Sequence, residues 1–120
     1  MNNQILIKHN KNWGIDEKVV RKKSELILKK LGFKEDTELS ILFVSKKKAK
    51  ELNIKYRQMN YIPQVLSFPL SKKKDVEGII RLGDVVVCDE KLKYESRFQK
   101  KSIEQILEEW MEHGIEGLLI

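Results

Sequence analysis

Short apolar runs alternate with amphipathic stretches along this chain, and the two periodicities predict its elements in order. Residues 4–8 are an apolar-centred run of strand length, followed by a turn-like stretch at 10–14. Asp16 is placed to cap the next helix, with Glu17 in the first turn, where the helix dipole favours a carboxylate. Val20, Ile27 and Leu31 recur at helical spacing, and Gly32 predicts the stop. Residues 39–44 predict a second strand. Ser45 predicts the cap of a helix running to Arg57, with Ala49, Leu52 and Tyr56 facing inward. Pro63 opens a third strand at 65–68, and Pro69 ends it. A polar, lysine-rich loop fills 71–78, and strand runs at 79–82 and 84–88 meet at a bend or bulge at Gly83.

The last helix has the clearest pattern. Ser102 and Gln105 form a capping box, and Ile103, Ile106, Leu107, Trp110 and Met111 follow one helical stripe. This order predicts an α/β (α+β) fold with a mixed β-sheet of about four strands packed with helices. With no internal repeat and no linker, residues 1–120 are expected to form a single domain.

Composition narrows the class. Hydrophobic residues at 41% and charged residues at 35% give a globular balance rather than a disordered one. No apolar run reaches the ~18 residues of a membrane span, and Met1-Asn2-Asn3-Gln4 lacks the regions of a signal peptide. The expectation is a cytoplasmic protein with no membrane partner. Cys88, the single cysteine, excludes an internal disulfide and reads as a small buried hydrophobe after Val85-Val86-Val87. Trp13 and Trp110 read as packing residues. The net charge of +6 suits a polyanion such as RNA, although the excess is mostly lysine. Lys46, Lys47, Lys48 and Lys50, and the run Lys72, Lys73 and Lys74, are either phosphate contacts or solvated faces.

Three separated stretches then stand out: Leu52-Asn53-Ile54-Lys55-Tyr56-Arg57, Val65-Leu66-Ser67-Phe68-Pro69 and Leu82-Gly83-Asp84-Val85-Val86-Val87-Cys88. With His113-Gly114 on the final helix, their order and spacing resemble the YbeY family of metal-dependent endoribonucleases, also called rRNA maturation factors. The resemblance implies a metalloprotease-type fold and a hydrolase cutting single-stranded RNA in rRNA processing and ribosome quality control. It also implies zinc as cofactor, with rRNA and the ribosome as partners. Arg57 matches the groove arginine that contacts phosphate and carries the catalytic assignment. Lys46, Lys47 and Lys50 join it as RNA contacts, and His113 is the metal ligand retained.

The departures define an alternative. The family motif is His-Gly-x-x-His with a further histidine beyond, but this chain has Gly117 at the second histidine and stops at Ile120. Asn60 stands at an acidic position, and Pro63-Gln64 replaces Thr-Asp. A catalytic zinc takes three protein ligands and activates a water in the fourth position. His113 alone does not meet that need; Glu116 could add a carboxylate turned toward solvent, and nothing places His9 nearby. The alternative is a non-catalytic RNA- or ribosome-binding module that keeps the fold. A protein-binding role has only the apolar Leu118, Leu119 and Ile120 behind it. Plainer readings stand beside each site residue. His113 could be a half-buried, hydrogen-bonded side chain and Gly114 a close-packing position. Arg57 could be a charge favoured by the helix C-terminus, and Asp84 a strand-entry residue.

Overall fold

The computed structural model describes residues 3–11 and 14–120. The order is β1 (Asn3–Lys8), α1 (Glu17–Lys30), β2 (Asp36–Val44), α2 (Lys46–Arg57), β3 (Val65–Pro69), β4 (Ile79–Cys88), α3 (Asp89–Gln99) and α4 (Ile103–Gly117). The strands form a single mixed sheet in the order β1-β2-β4-β3. β1 and β4 run parallel to β2, and β3 returns antiparallel to β4.

Strand alternation separates the two faces. Ile5, Leu39, Ile41, Phe43, Val85 and Val87 point into the core with Val20, Ile27 and Leu28 of α1 and Ile106, Leu107, Met111 and Ile115 of α4. On the other face Leu42, Val44, Phe68 and Val86 line a hollow together with Leu52 and Tyr56 of α2. The caps form as expected. Asp16 accepts from the Lys18 N–H, Ser45 accepts from the Lys48 N–H, and Ser102 and Gln105 close a full capping box.

Three expectations are revised. The runs at 79–82 and 84–88 are one strand, β4, and Gly83 lies within it at φ 127°. Its register against β2 shifts between Glu38 and Leu39, so the bend is a bulge in a continuous ladder. Pro69 belongs to β3 rather than following it. Tyr56, expected inward, is 55% exposed, and its ring instead meets Phe68 edge-on at 5.4 Å between centroids. The buried positions of that helix are Ala49, as expected, and Asn53. Helix α3 follows β4 directly and has Leu92 as its one buried residue. Trp13 lies outside the described residues; Trp110 packs in the core as expected.

Candidate nucleic-acid groove

Helix α4 carries His113 onto the sheet. Gly114 is buried against β3 and β4: a Cβ there would stand 2.6 Å from Val85 Cγ1 and 2.9 Å from Val65 Cγ1. One turn later a Cβ at Gly117 would stand 2.5 Å from Ser67 Oγ. That hydroxyl donates to the Gly114 carbonyl at 2.7 Å, fastening the end of the helix to β3. Close approach therefore explains both glycines. His113, next to this contact, is exposed rather than half-buried.

Arg57 reaches the same place from the last turn of α2, where Gln58 ends the helix in the left-handed conformation at φ 53°. The following segment is clamped by Asn53. Its buried side-chain amide donates to the Tyr61 carbonyl at 3.1 Å, and its backbone carbonyl accepts from the Met59 N–H at 3.3 Å. Gln64 is tied to the end of β4, its carbonyl accepting from the Cys88 N–H at 2.9 Å. The Leu-Asn-x-x-Tyr-Arg pattern thus divides its labour. Asn53 shapes the wall, Tyr56 packs behind it on the opposite face, and Arg57 enters the groove.

The groove consists of two adjoining hollows of about 540 and 340 Å³ that share Arg57, Val65 and His113. The larger is walled by residues 61–64, Lys91 and Trp110. The smaller is walled by Ser67, Glu116, Gly117 and Ile120. The structure thus brings Arg57 and His113 together, across more than fifty residues of chain. It adds Lys91, which sequence reasoning passed over because α3 itself was not foreseen. Lys46, Lys47 and Lys50 are exposed in the first half of α2 and line neither hollow. Lys48 borders the hollow on the other sheet face, and Lys74 pairs with Glu35 at 3.6 Å.

His9 is occupied elsewhere. Its ring nitrogens meet the Asn10 carbonyl and the Glu17 carboxylate, each at 2.7 Å, and these acceptors raise its pKa. Burial pushes the Cys88 thiol up, in keeping with a packing role. A zinc site fits poorly. Among the described residues no group of three His, Cys, Asp or Glu side chains is placed to hold a metal. His113 and Glu116 are the only such donors along the smaller hollow, and the position one turn after His113 is filled by the contact of Gly117 with Ser67.

The sequence pattern of the family described as Endoribonuclease YbeY matches residues 5–119. The chain belongs to the YbeY family. Two curated relatives named Endoribonuclease YbeY illustrate the likeness. The one from Wigglesworthia glossinidia brevipalpis is 37% identical over 89 residues, covering 74% of this chain and 58% of the relative. The one from Pseudomonas entomophila is 35% identical over 104 residues, covering 87% of this chain and 65% of the relative. The solution structure of TM1509 from Thermotoga maritima superposes with a TM-score of 0.61 at 29% identity, covering 97% of this chain and 71% of that one. This YbeY-family chain therefore spans about three fifths of the length of the curated relatives it matches. Among its described residues no helix is long and apolar enough to cross a membrane.

Proposed function

We propose that this chain serves rRNA maturation in the cytoplasm by holding single-stranded RNA in the groove between α2, α3 and α4. The observation that carries the reading is the convergence of Arg57, Lys91 and His113 on one open groove. A planar guanidinium grips a phosphate through two parallel hydrogen bonds, and an ammonium adds a point charge beside it. Lys46, Lys47 and Lys50 lie outside the groove and supply the diffuse positive field that attracts RNA, ribosomal RNA included.

Fluorescence anisotropy with a short oligouridylate tests this. Binding should weaken steeply with salt, and Arg57→Ala should weaken it further while reducing the slope of log K against log salt by about 0.7. Binding that ignores both salt and Arg57 would sink the proposal.

A second reading is endonucleolytic RNA cleavage, the activity for which the curated relatives are named; the presence of both His113 and Glu116 along the smaller hollow favours it. It needs a metal donor beyond the described residues. Elemental mass spectrometry decides it: stoichiometric zinc on untagged protein supports cleavage, and protein that stays metal-free after zinc loading and desalting refutes it.

A further inference from the structure

Helix α3 leaves the groove carrying an aromatic pair in open solvent. Tyr94 is 58% exposed and Phe98 72% exposed. Their rings lie 6.1 Å apart between centroids with 11° between planes, nearly parallel. The helix gains little burial from either residue, because Leu92 alone is buried on α3.

Position on the helix ties the pair to the groove. Lys91, which lines the larger hollow, stands three residues before Tyr94 and seven before Phe98. At about 100° per residue the three side chains fall within about 60° of one another, and Phe98 lies about 10 Å along the axis from Lys91. Exposed Arg97 and Lys100 flank the far end of this stripe. A cation at a groove mouth, then two near-parallel rings, then further cations is the arrangement that single strands use. Phosphates meet the charges and bases stack on the aromatic faces.

We propose that single-stranded RNA leaves the groove past Lys91 and runs along α3, stacking successive bases on Tyr94 and Phe98. This rests on the RNA reading of the groove and extends it to a second, sequence-tolerant contact. Stacking acts through ring faces rather than charge, so its removal leaves a different signature from the loss of Arg57.

The test compares Tyr94→Leu, Phe98→Leu and the double variant with Arg57→Ala, using a fluorescein-labelled oligouridylate and an RNA duplex. The double variant should lose about tenfold or more in affinity for the single strand. Its salt slope and its duplex binding should stay unchanged, whereas Arg57→Ala should lower the slope. If Arg57→Ala weakens binding and the aromatic variants do not, the platform is overturned and the groove reading stands. If none of the variants weakens binding, both fall. Equal losses for duplex and single strand also overturn stacking. Photo-crosslinking of a thiouridine-substituted oligonucleotide to the unaltered protein gives an answer independent of any variant. Adducts on Tyr94 or Phe98 support the path, and adducts confined to other residues refute it.

Discussion

Gly114→Ala is the sharpest probe of how this groove is built. The added methyl would stand 2.6 Å from Val85 Cγ1 and 2.9 Å from Val65 Cγ1, against about 3.5–4.0 Å for relaxed carbon contacts. Something must move by about 1 Å. Val85 is fully buried and sits in mid-ladder, paired with Ile41 and Ser67, so α4 is the element that yields. Overpacking of this kind costs about 1–3 kcal/mol, and replacing a helical glycine returns about 1 kcal/mol. The net expectation is a loss of about 0–2 kcal/mol, seen as a lower urea midpoint with an unchanged m-value. A double-mutant cycle isolates the clash. In Gly114→Ala/Val85→Ala the smaller strand residue makes room for the methyl, so the pair should couple favourably by at least about 0.5 kcal/mol. A Gly114→Ala protein more stable than the parent, or strictly additive single changes, would refute the close-packing argument.

Three further outcomes follow from the same geometry. Gly117→His should bind no stoichiometric zinc, because its Cβ begins 2.5 Å from Ser67 Oγ and must break the bond to the Gly114 carbonyl; one zinc per chain by elemental mass spectrometry would contradict this. Asn53→Ala should cost about 1–2 kcal/mol in urea melts, since it orphans the Tyr61 carbonyl, and should weaken RNA binding by loosening the wall at Tyr61; unchanged melts would refute the clamp. Asp75, held below the usual carboxylate range by the Ile79 N–H and by Arg81, stabilises the fold above its unfolded pKa. That contribution is lost as pH falls through its folded pKa, so Asp75→Asn should flatten the acid limb of a stability–pH curve; an unchanged limb would contradict it.

The elements with an apolar stripe or a cap were legible in the sequence: α4 through its capping box, α1 through Asp16, and β2 and β4 through their apolar runs. Helix α3 was not, because Asp89–Gln99 buries one residue and so leaves no helical period to read. Lys91 and the Tyr94–Phe98 pair were hidden with it. Tyr56 was misplaced because its ring leans on a neighbouring strand residue at the open edge of the sheet, a contact that spacing along one helix does not encode. Arg57 and His113 were identified through family resemblance, but the partnership of Arg57 with Lys91 depends on where separate elements meet.

The residues lining the two hollows run from Arg57 to Ile120, and none comes from β1, α1 or β2. Helix α4, which closes the floor through Gly114 and Ser67, comes after every other described element in chain order. Protein emerging from a ribosome can pair its first two strands well before that helix is available. The groove proposed for RNA is therefore incomplete while β1, α1 and β2 are already made, and it forms only when α4 is free to dock. The order of synthesis thus sets the moment at which the two hollows can first exist.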